Sequence, residues 1–562
     1  MVNNNPDHHH DEPRVDADVH ASPVVNPNVR KDQAHVTPEA AITEPAEHAH
    51  PVSAAKAAPN VTIIFIALLL TMLMSSLGQM IFSTALPTIV GELGGVEHMS
   101  WVISSFLVTM TIAMPIAGKL GDTMGRKWPY ITGIAIFIIG SAIGGFAQSM
   151  NLLIVGRAIQ GFGAGAMMLN SQAIVAEVIP ARQRGKYMGI MGSVFGLSSV
   201  LGPVLGGWFT DGPGWRWGLW MNIPLGLLAL IVCVIVLKLR KGSSSMVGFD
   251  WLGALFIALF TSSTILTTTW GGTEYEWTSP VIIGLGITAV AAGLLLIFTE
   301  RRAANPLIPM GLFRNRNMLL TTLAGTMLGL AMFGVLGYMP TYLQMVHTLT
   351  PTNAGLMMIP MMVGMMGTST AVGFIIARTG HYKRYPIIGL AITTVCLWWM
   401  STLTYDTSLP NLGLRLLVFG IGLGLVMQVL VLIVQNSFPV SLVGTATAAN
   451  NFFRQIGSAV GASLVGSLFI HNMRGEMEAR MPEALAKLGQ QGRDYAAHFG
   501  DEGMNSLTPE MVSQMPEPIK LAILNSYNDG LTPVFLLMVP LTIVAMILLF
   551  PLREEHLKET VD

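Results

Sequence analysis

The stretch Gly118-Lys119-Leu120-Gly121-Asp122-Thr123-Met124-Gly125-Arg126-Lys127 decides how the rest of the chain is read. Its glycines permit a tight turn and close approach of neighbouring helices. Asp122 and Arg126 stand four residues apart, able to pair with each other or to cap helix ends. The chain on either side is apolar for about 20 residues, enough to cross the hydrocarbon core of a bilayer. A charged, glycine-rich turn between two such segments is a loop at a membrane surface. There the Asp–Arg pair either acts as a lock that holds in one conformation and breaks in another, or the basic residues only set topology.

Outward from that loop, about fourteen apolar stretches follow one another, centred near Leu70, Thr109, Ile138, Gly165, Leu197, Leu227, Phe260, Thr288, Leu330, Met365, Val395, Gly422, Val460 and Val544. The composition agrees: 52% of the 562 residues are hydrophobic and only 11% charged, too few charges for a soluble surface. Alternate loops collect Lys119, Arg126, Lys127, Arg182, Arg184, Lys186, Lys238, Arg240, Lys241, Arg301, Arg302, Arg314, Arg316, Arg378, Lys383 and Arg384. Of the intervening short loops, 91–100, 271–279 and 347–352 carry no Lys or Arg. By the positive-inside rule the basic loops and both termini are cytoplasmic. The expectation is an all-α, multi-pass protein of a bacterial cytoplasmic membrane, acting as a monomer with the lipid bilayer as its solvent.

Residues 1–58, polar and His-rich, are predicted to be a disordered cytoplasmic tail, with His8, His9 and His10 part of it and not a metal site. Residues 59–240 form a first six-helix bundle, 241–302 two inserted helices, 303–551 a second bundle and 552–562 a cytoplasmic tail. Within the second bundle, 471–532 is expected to be an extracytoplasmic loop between the last two helices. Punctuation repeats between the halves: Leu86-Pro87-Thr88 and Met339-Pro340-Thr341 each end a first span, while Gly118, Gly125 and Tyr130 recur at the spacing of Gly373, Gly380 and Tyr385.

Several chemistries are excluded. Cys233 and Cys396 lie in apolar runs, so there is neither a disulfide framework nor a thiolate metal site. A net charge of −1 gives no reason to expect nucleic acid. No phosphate-binding loop, metal-ligand cluster or Ser/His/Asp set stands at an interfacial edge, which argues against an enzyme, a cofactor or intrinsic ATP drive.

The loop from Gly118 to Lys127 resembles the signature loop of the major facilitator superfamily. Gly156-Arg157-Ala158-Ile159-Gln160-Gly161 resembles a second motif of that superfamily, whose Arg is linked to proton transfer; Arg157 alternatively snorkels to the outer interface. Gly202-Pro203-Val204-Leu205-Gly206-Gly207 resembles the motif of exporters. Gly214-Trp215-Arg216-Trp217, Met221-Asn222-Ile223-Pro224 and Asn451-Phe452-Phe453-Arg454 are similar to the fourteen-helix drug/proton antiporter family. The resemblance implies a major facilitator fold of two six-helix bundles plus two inserted helices. It also implies a secondary transporter exporting amphipathic small molecules or drugs against protons by alternating access. An uptake carrier or a translocator of lipid or anionic amphiphiles would use the same fold.

One departure bears on coupling. Where the family often has a carboxylate in the first span, this chain has Gly78, in Leu77-Gly78-Gln79-Met80. The gating and coupling candidates are therefore Gly118, Asp122, Gly125, Arg126, Lys127, Arg157, Glu177, Gly202, Pro203, Gly206 and Gly207, with Arg157 expected to tune Asp122 or Glu177. Polar and aromatic residues in otherwise apolar spans are the candidate cavity lining: Gly78, Gln79, Trp101, Phe106, Asn170, Tyr338, Tyr342, Gln344, Gln428, Asn451 and Arg454.

Overall fold

The computed structural model describes residues 61–94, 98–239, 248–272, 274–490, 492, 509–557 and 559. The tail at 1–58 lies outside them. Thirteen helices among the described residues are long and apolar enough to cross a membrane, and a fourteenth, Arg384–Met400, is apolar but shorter. The only bridge between extended residues joins Gly271 to Tyr275, so among the described residues the fold is all-α.

The first crossing is made by α1 (Val61–Met80) and α2 (Phe82–Leu93), separated at Ile81. The first bundle continues with α3 (Met99–Met124), α4 (Lys127–Gly145), α5 (Met150–Val178) and α6 (Ala181–Asp211). Its last crossing is α7 (Trp217–Trp220) with α8 (Asn222–Val236). A hairpin of α9 (Trp251–Trp270) and α10 (Pro280–Arg302) follows. The second bundle comprises α11 (Arg316–Val346), α12 (Pro351–Leu356) leading into α13 (Ile359–Thr379), α14 (Arg384–Met400) and α15 (Leu409–Asn436). It ends with α16 (Val443–Lys487), the short α17 (Pro509–Gln514) and α18 (Glu517–Leu549).

Starts and stops follow local chemistry. Ser149, Asp250, Ser279, Asn315 and Thr350 each accept a backbone N–H three residues on, capping α5, α9, α10, α11 and α12. Gly125 and Gly380 end α3 and α13 at φ of 89° and 75°, values an L side chain rarely adopts.

Burial divides the helices by role. In α15, 83% of the apolar window is buried, against 17% in α10, whose Ile287, Val290 and Leu294 point outward. The hairpin is thus peripheral. It leans on the seam between the bundles, where Ile257 and Leu296 pack with Phe452, and where Trp270 meets Trp101 of α3 edge-on at 4.7 Å.

Two sequence boundaries shift. The prolines at 87 and 340 do not end their spans: α2 runs on to Leu93 and α11 to Val346. Pro340 stands inside α11, and Gln344 one turn on donates its side-chain amide to the Pro340 carbonyl at 3.2 Å. The segment 471–532 is largely helical where described, because α16 extends to Lys487 and α18 begins at Glu517. Ion pairs at helical spacing, Glu476–Arg480 at 3.0 Å and Glu483–Lys487 at 2.9 Å, support that extension.

Candidate gate and transport site

On the basic face the two bundles are joined by two latches. The first is built on the loop between α3 and α4. α16 starts at Leu442 with no side-chain cap of its own. Asp122, from the other bundle, supplies one: its carboxylate accepts the N–H of Gly444 at 3.1 Å and of Thr445 at 2.6 Å. A negative charge at a helix N-terminus satisfies orphan donors and opposes the dipole, so this contact is favourable twice over. Arg126 holds the acid at 3.1 Å and reaches past it to the Val440 carbonyl at 2.7 Å, also across the seam. Its other nitrogen donates to Ala173 at 2.6 Å and faces Glu177 at 3.4 Å. Two carboxylates thus share one guanidinium, with Arg184 nearby bound to the Ile179 and Ala176 carbonyls.

Close approach makes this possible. A Cβ at Gly118 would stand 2.7 Å from Ala448 Cβ and 2.9 Å from the Gly444 oxygen. Lys127 takes no part across the seam; it donates to Val234 of its own bundle at 2.9 Å.

The second latch is built on the repeat of that loop. Arg182, at the start of α6, donates to the Ala377 and Arg378 carbonyls at 3.3 and 3.2 Å, the last turn of α13, and also meets Glu559. Gly373 packs against Gly185 here, as Gly118 does against Gly444. The 552–557 segment is tied down beside it: Glu554 accepts the Tyr382 N–H at 2.7 Å, and the Tyr382 hydroxyl accepts the Glu555 N–H at 2.6 Å. Burial raises the Tyr382 phenol above its ordinary range, so it stays neutral at physiological pH.

Further into the seam lies a polar layer. Gln172 of α5 accepts from Asn451 at 2.8 Å, and Asn451 accepts from Arg454 at 2.9 Å. Gln435 donates to the Gln172 carbonyl at 3.3 Å. Asn170 Oδ1, Gln428 Oε1 and Gln435 Oε1 are buried acceptors without a partner among the described residues. An unmatched buried acceptor costs about 1–3 kcal/mol, so this layer has hydrogen bonds to gain from a ligand or from water. Asn451, with Arg454 behind it, therefore joins α16 to α5, Gln428 meets Gly192 of α6 elsewhere between the bundles, and Asn170 packs on Gly121 within the first bundle.

Arg157 is placed differently. It is wholly buried inside the first bundle, its guanidinium 4.2 Å from the ring centres of both Phe82 and Phe106. It donates to the Gly78 carbonyl at 2.8 Å, the Val102 carbonyl at 3.2 Å and Gln160 at 2.6 Å; Nη2 has no hydrogen-bond partner among the described residues. It does not snorkel. It staples α1, α2 and α3 to α5 without a carboxylate. Glu177 lies 20 residues further along α5, about 30 Å away, so direct tuning of the gate by Arg157 is not supported by the geometry.

The remaining candidates scatter. Gly202 packs on Met80, and Pro203 lies within α6. Gly206 takes the Thr210 hydroxyl on its carbonyl at 2.6 Å, and Gly207 faces open space. Gln79 is half-buried. Trp101 packs on the hairpin. Tyr338 and Tyr342 hold the second bundle together, meeting Phe469 at 5.7 Å and Asn528 at 2.9 Å. Sequence reading passed over Gln160 as a site residue, although its position three residues after Arg157 puts both on one helical face. It did not single out Glu300 either, which is 2% exposed and engaged by the Ile308 N–H at 3.0 Å.

Comparison with known proteins agrees with this architecture. The family profile of the Major Facilitator Superfamily matches residues 68–247 and 241–462. The chain is 38% identical over 501 residues to an uncharacterized MFS-type transporter of Mycobacterium tuberculosis (strain H37Rv), covering 89% of this chain and 70% of that one. It is 32% identical to the multidrug transporter protein MdtP of Bacillus subtilis, covering 84% and 87%. Among solved structures, the human organic anion transporter MFSD10 superposes with a TM-score of 0.53 at 16% identity, covering 86% of this chain and 98% of that one, a likeness of fold.

Proposed function

The chain belongs to the Major Facilitator Superfamily, whose members are membrane transporters and not enzymes, and we propose that it is a proton-linked exporter of amphipathic small molecules. The observation that carries this reading is the Asp122 cap on α16, a bond between bundles that depends on a titratable group. With Asp122 ionised, the cap and the Arg126 bridge hold the basic face closed. A proton that enters from the outer side and reaches Asp122 removes the charge from two N–H bonds and from Arg126 together, and the bundles part on the basic side. Substrate then loads from the cytoplasm, the proton leaves to the cytoplasm, and the latch re-forms around the loaded seam. The kinship with a multidrug transporter supports export of varied amphiphiles. The basic face is cytoplasmic in this scheme, as are both termini, and one chain suffices.

A second reading, uptake or translocation of an anionic amphiphile, draws on Arg157 and Arg454, two buried cations with no carboxylate partner among the described residues. Everted vesicles separate the two. The exporter concentrates a fluorescent amphiphile inside them when the lumen is acid, and stops when the gradient is collapsed. Depletion of the lumen under the same gradient would establish the second reading in its place.

A further inference from the structure

We propose that the crevice between the α9–α10 hairpin and the second bundle binds an acyl chain of an anionic phospholipid from the leaflet on the basic face. Placing that leaflet in the cytoplasm rests on the reading above; the chemistry of the crevice does not.

The crevice has a volume of about 410 Å³, within the range of small-ligand sites. Four aromatic rings shape it: Phe260 of α9, Phe313 of the linker before α11, and Phe452 and Phe453 of α16. Phe313 meets Phe453 edge-on at 5.7 Å, and Phe260 lies 6.3 Å from Phe452. The crevice opens sideways past Ile297, Leu319 and Leu323, which are 42%, 40% and 38% exposed on helices that cross the membrane. Its entrance therefore faces hydrocarbon, and an occupant arrives from the bilayer without crossing water. Leu319 to Thr326 lie about 5–15 Å along α11 from Arg316, the depth of an acyl chain below its headgroup.

The headgroup end is cationic. Arg301 follows Ile297 by one turn, Arg314 adjoins Phe313, and Arg316 precedes Leu319 by one turn; all three are exposed. Arg302 stacks on Phe298 at 4.1 Å. None of these four makes an ion pair among the described residues. Glu300 beside them is 2% exposed and engaged by the Ile308 N–H, so it presents no charge at the surface. A dry slot below a ring of unpaired arginines matches a molecule with an apolar tail and an anionic head. A zwitterionic lipid would fill the slot and gain less from the rim.

The occupant bears on the seam. Phe452 and Phe453 immediately precede Arg454, and Thr322, on the crevice wall, holds Asn450 at 3.3 Å. A lipid chain here supports the face of α16 opposite the Asn451–Gln172 contact and favours the form closed on the basic side.

Native mass spectrometry of the full chain, incubated with equimolar phosphatidylglycerol and phosphatidylethanolamine of identical acyl chains, tests this. The wild type is expected to retain phosphatidylglycerol in preference. The combined Arg301→Gln, Arg314→Gln and Arg316→Gln variant is expected to lose that preference, each arginine contributing about fivefold. Gly293→Phe would place its ring from a Cβ position 3.2 Å from Phe260, filling the slot, and should lose both lipids. Leu323→Trp, at the mouth, is the second filling variant should the first not fold. A preference that survives in the triple variant, or retention unchanged in the filled ones, overturns the proposal. Displacement of the lipid by a transported dye would also overturn it, making the slot a substrate portal.

Discussion

The loops at residues 118–130 and 373–385 share glycines and tyrosine at one spacing, yet they close the molecule by opposite means. In the first, the loop contributes an acid to the N-terminus of a helix in the other bundle; in the second, it contributes the carbonyls of a helix C-terminus to an arginine of the other bundle. Both satisfy helix ends with the charge their dipoles favour. Only in the first is the helix end of the other bundle held by a titratable group, since Ala377 stands in the second where Asp122 stands in the first. A duplicated scaffold thus carries one latch whose helix-end contacts respond to protons and one whose helix-end contacts are indifferent to them.

The largest effect is expected outside both latches, where all partners belong to one bundle. Arg157→Ala leaves a void between Phe82 and Phe106 and frees two helix carbonyls, and should lower stability by about 3 kcal/mol. Arg157→Met, which fills the same space without a buried charge, should lose far less. Thermal denaturation in detergent reads both. Equal melting of the alanine variant and wild type would mean that Arg157 is no staple, and the contrast between internal and crossing contacts would fail.

Asp122→Asn breaks the responsive latch alone. The amide keeps the shape but loses the charge from two N–H bonds and from Arg126, about 1–2 kcal/mol of closure, and turnover should drop on the order of tenfold. Elution on gel filtration should not change, because the residue's partners lie mainly across the seam. Wild-type turnover in reconstituted vesicles would reduce the loop to a topology signal.

Gly78→Asp sharpens the comparison by giving the internal staple an acid. A Cβ there would lie 3.4 Å from the Phe137 ring and 3.7 Å from Gln160 Nε2, so the side chain fits beside the Arg157 network. The bundle interior loses one net positive charge. Export of a dicationic dye relative to a neutral one should rise by up to roughly tenfold, the effect of one charge about 10 Å away at intermediate dielectric. A ratio unmoved by the substitution would place the substrate path far from Arg157.

Much of this architecture was legible from residue order because membrane crossing imposes length and the loops carry charge. Each of the fourteen centres falls within a helix, and the glycines repeated near 118 and 373 both mark close approaches between bundles. The Asp122–Arg126 pair was legible too, since four residues on a helix bring side chains together. Its partners were not. Gly444 and Thr445 contribute backbone N–H groups, which no residue type advertises, from more than 300 positions away. The surroundings of Arg157 were not legible for a related reason: an intramembrane arginine reads alike whether it faces a cavity or, as here, two phenylalanines and three acceptors. Trp101 and Tyr342, candidate lining residues, meet Trp270 and Asn528, contacts that sequence does not reveal because aromatic groups suit cavities and helix packing equally.

The smallest effect is expected at the indifferent latch. Arg182 is 38% exposed at its side chain and its partner Glu559 63%, so water and salt screen that pair, and the two carbonyl bonds are long at 3.3 and 3.2 Å. Pairs of this exposure contribute at most about 1 kcal/mol. Arg182→Gln should slow turnover by about twofold at low ionic strength, and the difference should fade near 1 M salt, where the screening length falls to about 3 Å. The buried responsive latch, with Asp122 4% exposed, should keep its mutational effect across the same range. The pH profile gives a second axis: Asp122→Asn should flatten it, because it removes the titratable cap on α16, whereas Arg182→Gln leaves that cap in place and should leave the shape unaltered. Parallel transport assays of the two variants over salt and pH decide the matter. If Arg182→Gln flattens the profile as Asp122→Asn does, the latches are equivalent and the asymmetry drawn from Asp122 and Ala377 has no mechanical meaning.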